Sequence, residues 1–119
     1  MIRILAVLLG LAALPVLAHE PSPGPHGGLK VDAGAWHAEL VADGSPTVTV
    51  YLFDASDAPV SVEGWKGQAT LVIGGAPQRF PLAPAGEVLQ GQAAAPVPAG
   101  SGGAVRLTSP DGTTATATF

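Results

Sequence analysis

The sequence contains no cysteine, and its only methionine is Met1. The chain therefore forms no disulfide, and it cannot be attached to lipid through a cysteine. Met1 belongs to a segment that we expect to be removed, so the remaining chain also lacks a thioether. Soft sulfur sites for Cu(I) are thus excluded within this chain alone. Any metal site must use imidazole, carboxylate, backbone or the N-terminal amine, which favours Cu(II), Zn(II) or Ni(II).

Basic residues are also scarce. Arg3 lies in the N-terminal segment, so the chain after residue 18 carries four Lys and Arg against nine Asp and Glu, a net charge of −5. No basic cluster occurs, which excludes nucleic acid as an expected partner. Large apolar residues are few in this part of the chain, and we expect a thin core.

Residues 1–18 have the features of a secretory signal peptide. Arg3 supplies the positive charge, residues 4–14 form an apolar stretch, and Pro15-Val16-Leu17-Ala18 resembles a cleavage site. The apolar stretch is shorter than the roughly 20 residues that span a bilayer. We expect cleavage after Ala18 and a periplasmic or secreted bacterial protein; the alternative is an uncleaved membrane anchor.

Sustained helical periodicity is absent from the rest of the sequence, and glycines and prolines recur every several residues. Residues 19–27 read as an exposed Pro-rich leader that is extended rather than helical. Residues 28–119 read as a single all-β domain. We predict an Ig-like β-sandwich of about seven to nine short antiparallel strands, with a small β-barrel as the alternative.

Alternating apolar and polar residues place the strands. Residues 47–54 are rich in β-branched and aromatic side chains, and Asp43-Gly44-Ser45-Pro46 predicts a turn that pairs them with residues 36–43. Trp36 and Leu40 are expected to face the core. The remaining predicted strands are residues 29–33, 60–62 (a short edge piece), 67–73, 78–82 (an edge, because of Pro77 and Pro81), 87–94, 104–108 and 113–119.

The candidate chemistry lies near the start of this domain. His37 and Glu39 are two residues apart on one strand, so both side chains leave the same face. His26 opens a Gly-rich turn, and His19 becomes the N-terminus after cleavage, where its amine and imidazole can chelate one ion together. We predict a divalent metal site of His26 and His37, with Glu39 as ligand or supporting partner and His19 as a further ligand. The alternative is a solvated His37–Glu39 pair, a turn-capping His26 and an inert His19.

Enzyme function is not expected. No nucleophile elbow, phosphate-binding loop or dinucleotide fingerprint occurs, and no small-molecule substrate is evident. A different non-enzymatic function, a protein-interaction module, would use an exposed patch of Tyr51, Phe53 and Trp65. We expect at least two of these three to pack inside instead.

Three runs carry a resemblance: Pro25-His26-Gly27-Gly28, Trp36-His37-Ala38-Glu39-Leu40-Val41 and Val50-Tyr51-Leu52-Phe53-Asp54. Together they resemble a pattern in small exported bacterial β domains that occur alone or fused to periplasmic adaptor subunits of heavy-metal efflux systems. The resemblance covers about residues 25–62. It implies a periplasmic location and a role near copper, zinc or related ions, with His26, His37 and Glu39 carried over. The N-terminal histidine after cleavage also resembles that of small copper-resistance β-sandwiches.

The sequence therefore predicts an exported protein that binds Cu(II) or Zn(II) or accompanies a metal-efflux complex. Its expected partner is a periplasmic efflux adaptor or another exported protein. The alternative is an exported β-sandwich interaction module without metal.

Overall fold

A computed structural model describes residues 20–119, and within this range the protein is all-β, with nine antiparallel strands and no helix. The class and the strand number confirm the sequence prediction. No helix in this range is long and apolar enough to cross a membrane. The predicted signal peptide and His19 lie outside the described residues. The strands are β1 (Ser22–Pro23), β2 (Leu29–Ala33), β3 (Trp36–Ala42), β4 (Thr47–Phe53), β5 (Lys66–Ile73), β6 (Ala76–Ala85), β7 (Val88–Gln92), β8 (Gly103–Thr108) and β9 (Thr114–Thr118).

The strands form one strongly curled open sheet, a half-barrel, in the order β1-β2-β3-β4-β7-β6-β5-β8-β9. Strand β6 joins its two arms: residues 76–82 pair with β5, and residues 83–85 pair with β7. Pro77 and Pro81 predict an edge position for residues 78–82, and this part of β6 does pair with β5 alone, although β6 as a whole lies inside the sheet. Both prolines fall in the part that pairs with β5 alone, so one side of that part remains an edge where missing N–H groups are tolerated.

The core fills the concave side of the sheet and draws on both arms. In β4, Val48, Val50 and Leu52 are buried while the residues between them are half-buried, as the alternation predicted. Leu40 is buried and Trp36 packs against the core, its ring meeting that of Trp65 edge-on at 5.0 Å between centroids. Many core positions hold alanine or valine rather than larger residues, so the core is thin. The largest fully buried apolar side chains are Leu71, Leu89, Leu107, Val48, Val50, Val62, Val97 and Val105.

Two segments differ from the sequence prediction. Residues 60–62 form no strand. Next to them Pro59 forms an isolated bridge with Phe53, the Val60 N–H donates to the Leu52 carbonyl at 3.0 Å, and Val62 is buried in the core. The predicted leader belongs in part to the sheet, and its residues 25–27 lie in a turn. Its strand β1 pairs with β2, with Ser22 opposite Lys30 and Pro23 opposite Leu29.

Candidate functional site

The convex face of β2, β3 and β4 carries the predicted chemistry. His37 and Glu39 alternate with the core residues of β3, and both therefore face this side of the sheet. Each is the centre of a cross-strand row. One row is Asp32, His37 and Phe53, and the other is Lys30, Glu39 and Tyr51.

Glu39 is completely buried, although it lies on the convex face. The leader covers it: the backbone N–H groups of His26 and Gly28 each donate to Oε2 at 2.9 Å. The Nδ1 atom of His26 lies 2.7 Å from Oε1. Nδ1 is assigned as the donor of this hydrogen bond and the carboxylate oxygen as its acceptor. Three hydrogen bonds thus compensate the desolvation of this acidic group.

Glycine is required where the leader meets β3. A Cβ atom on Gly24 would lie 2.5 Å from Cγ of Glu39 and still nearer to Cδ and Oε2. A Cβ atom on Gly28 would overlap the carbonyl group of Leu40. Gly24 and Gly28 also close the turn themselves, because the Gly24 N–H donates to the Gly28 carbonyl at 2.9 Å. Their lack of side chains allows the turn to rest directly on the carboxylate.

The imidazole of His26 stacks flat on Tyr51, with 3.6 Å between ring centroids and 5° between planes. Its side chain stays 40% exposed. Both rings line one end of an open groove of about 560 Å³, whose other walls include Phe53, Val60 and Glu87. Phe53 is buried on this convex face and Trp65 in the core, so two of the three aromatics are inside, as expected.

His37 forms a second, separate cluster with two aspartates. Its Nδ1 lies 2.8 Å from Oδ1 of Asp57, and its Nε2 lies 3.1 Å from Oδ1 of Asp32. Lys30 Nζ also donates to Asp57 Oδ1, at 3.0 Å. Hydrogen bonds from Lys30 and then from His37 lower the pKa of the Asp57 carboxyl. Asp57 has a φ of 61°, a left-handed conformation that aspartate tolerates better than most residues.

The structure thus brings His26 to Glu39, but it places His37 with different carboxylates. In residues 20–119, no group of three or more His, Cys, Asp or Glu side chains is arranged to hold a metal ion. The predicted site did not include Asp32, Asp57 or Lys30. Asp32 could have been found, because the short Gly34-Ala35 turn fixes it opposite His37. Asp57 reaches the cluster from the loop after β4, and no sequence pattern predicted its contact with His37.

Comparison with known proteins assigns no family. No family model, no curated protein and no solved structure matches this chain.

Proposed function

We propose that the mature protein is an exported, periplasmic, non-enzymatic protein that binds a divalent transition metal ion, Cu(II) or Zn(II). The proposal places the ion at His37 and associates the protein with heavy-metal efflux. The observation that carries it is the position of the His37 imidazole between Asp57 and Asp32, 2.8 Å and 3.1 Å from their Oδ1 atoms.

The two sides of the imidazole suit different tasks. With Nδ1 donating to Asp57, Nε2 is the nitrogen left to bind a metal ion, which is the arrangement of a carboxylate that orients a metal-binding histidine. Lys30 in turn holds Asp57. On the other side, Nε2 and Asp32 Oδ1 are 3.1 Å apart. Two donors that each bind an ion at about 2.0–2.2 Å lie roughly 3 to 3.5 Å apart. A metal ion can therefore replace the direct contact between His37 and Asp32 with little movement of either.

Two donors make an incomplete site, and we propose that His19 supplies the others after cleavage. Glu20 directly follows His19 in the chain, and it lines the same cavity of about 370 Å³ as Asp32, His37 and Asp57. The amine and imidazole of His19 would complete a set of three nitrogens and one carboxylate oxygen. Such hard and borderline ligands fit Cu(II) or Zn(II) and do not fit Cu(I).

In this proposal neither His26 nor Glu39 is a ligand of the metal ion. The carboxylate of Glu39 already accepts three hydrogen bonds from the leader, which favours the supporting role over the ligand role that the sequence left open. His26 lies in the other cluster, so it provides a matched control: a histidine on the same face that the proposed ion does not need.

The test is calorimetric titration of the mature protein, beginning at His19, with Cu(II) and Zn(II). We expect His37→Ala and Asp32→Asn to weaken binding about tenfold or more, which corresponds to about 1.4 kcal/mol. His26→Ala should keep the wild-type affinity, and one extra residue before His19 should weaken Cu(II) binding. Equal affinities in His37→Ala and wild type would contradict the proposed site, and no binding to wild type would contradict the proposed function.

A second candidate function, a protein-interaction module, is favoured by the convex face of the other arm. Lys66, Arg79 and Arg106 are all exposed there, and the described residues form no ion pair with any of them. The strand positions that share this face are otherwise neutral, with Gln68 and Thr70 between the two arginines. After residue 18 the chain carries a net charge of −5, so a positive face on it suits an acidic surface, such as one on a periplasmic efflux adaptor.

We propose that the two arms of the curled sheet correspond to the two layers of the predicted Ig-like sandwich, with β6 shared between them. Support comes from the core, which the arms enclose from both sides, and from the approach of the β2–β3 turn to β9, where a Cβ atom on Gly34 would lie 3.2 Å from that of Ala115.

A further inference from the structure

Two arginines on the convex face of β5, β6 and β8 share one cavity. Arg79 of β6 lies opposite Thr70 of β5, and Arg106 of β8 lies opposite Gln68 of β5. Because β5 lies between β6 and β8 in the sheet, the two arginines flank the cavity from opposite sides. The cavity has a volume of about 220 Å³, and its other walls are Gln68, Thr70, Ala104 and Thr116.

This cavity carries positive charge that no described residue neutralises. Both arginines are exposed, neither forms an ion pair within residues 20–119, and no carboxylate lines the cavity. An adjoining cavity of about 240 Å³ has the same character: Arg106 borders it together with Lys66, and its walls contain no acidic side chain. Like charges repel, so two arginines at one cavity oppose folding unless an anion lies between them.

The donors around the cavity indicate which anion fits. A guanidinium group presents its N–H groups as a planar fork that matches two oxygen atoms. The Gln68 amide and the Thr70 and Thr116 hydroxyls are further donor groups in the walls. A carboxylate has only two oxygens, which one arginine already satisfies. A phosphate group has at least three acceptor oxygens, so it can offer a pair of them to each arginine.

We infer that the cavity between Arg79 and Arg106 binds a phosphate group, as the free ion or as the headgroup of an anionic lipid. The inference does not rest on the proposed metal site, because Asp32 and His37 line a different cavity. It concerns the face that the second candidate function would use. Attraction to an acidic surface requires only positive charge there, whereas a phosphate group requires the two arginine forks.

The test is titration of the metal-free mature protein with inorganic phosphate at constant ionic strength, followed by NMR of the Gln68 and Thr70 backbone amides. Arg79→Lys and Arg106→Lys keep the charge but lose the fork, and each should weaken phosphate binding about tenfold or more. Lys66→Ala is the matched control, since it removes one positive charge from the same face without lining this cavity. It should weaken phosphate binding about twofold or less, because salt screens a distant exposed charge.

Vesicles separate the two sources of phosphate. Binding to vesicles of phosphatidylglycerol and phosphatidylcholine, with the same loss in both lysine variants, would identify the lipid headgroup. Binding of phosphate without binding of these vesicles would identify the free ion.

Three results would overturn the inference: no phosphate binding to wild type, equal phosphate affinity in wild type and both lysine variants, or acetate binding as tightly as phosphate. Cu(II) titration of the same samples reports on the metal site separately. A failed phosphate site would therefore leave the proposed function standing, and a failed metal site would leave this inference standing.

Discussion

Gly24→Ala is the most direct test of the contact between the leader turn and Glu39, because a single methyl group is enough to disturb it. The new Cβ atom would overlap the carboxylate carbon and Oε2 of Glu39. Gly24 is not one of the glycines with positive φ, so the backbone conformation itself is open to alanine. The expected damage is therefore steric: the turn must lift away from Glu39 or the carboxylate must leave its position.

The structure sets the size of the effect. Lifting the turn breaks three hydrogen bonds to a carboxylate, each worth about 1.5–3 kcal/mol when the group stays buried. Water reaches Glu39 once the leader moves, so only part of this sum is lost. We therefore expect Gly24→Ala to lower the free energy of unfolding by about 2–3 kcal/mol. For a domain of this size, that corresponds to a decrease of roughly 10–20 °C in Tm. Gly27→Ala is the control in the same turn: Gly27 has a φ of 80° and open space around it, so only backbone strain of about 1 kcal/mol applies.

A double-mutant cycle identifies the cause. Urea unfolding is measured for wild type, Gly24→Ala, Glu39→Ala and the double variant. Glu39→Ala removes all the side-chain atoms that the new methyl group would overlap. The second substitution should therefore cost little after the first, giving a coupling energy of at least about 1 kcal/mol. Additive effects, or a Gly24→Ala that is no worse than Gly27→Ala, would refute the steric argument.

Local patterns were sufficient to predict most of the sheet. The β-branched run in β4 and the alternation in β3 predicted the ends of both strands to within one residue. The turn between the two strands predicted that they pair with each other. Strand β1 was missed because two exposed residues between prolines carry no periodicity. The extension of β6 to Ala85 was missed because its last three residues pair with β7 instead of β5. Pairing between distant segments is set by how the whole sheet curls, which no local pattern encodes.

The candidate site, like the sheet, was predicted only in part. Alternation placed His37 and Glu39 on one face, and the adjacent glycines predicted a turn at His26. The identity of that neighbour was not predictable, because a carboxylate at an alternating position on a convex face reads as solvated. Glu39 is buried by a segment more than ten residues away in sequence. The same limit explains why Asp57, which reaches His37 from a loop, was not foreseen.

Two further predictions address the charges of the two convex faces. The folded-state pKa of Asp57 is lowered from 3.8 by hydrogen bonds from Lys30 and then His37. Its stabilisation is therefore present above pH 3.8 and is lost as pH falls through the lowered pKa. Asp57→Asn, which tolerates the left-handed backbone, should have a lower Tm than wild type at pH 6. The gap should close in acid; a gap of equal size at pH 6 and pH 2 would exclude this ion pair as its source. On the other arm, the double variant Arg79→Glu/Arg106→Glu should abolish salt-sensitive binding to an acidic efflux adaptor while leaving Cu(II) affinity unchanged, because these arginines lie on a different face from His37. Adaptor binding that survives both charge reversals would show that this face is not the interface.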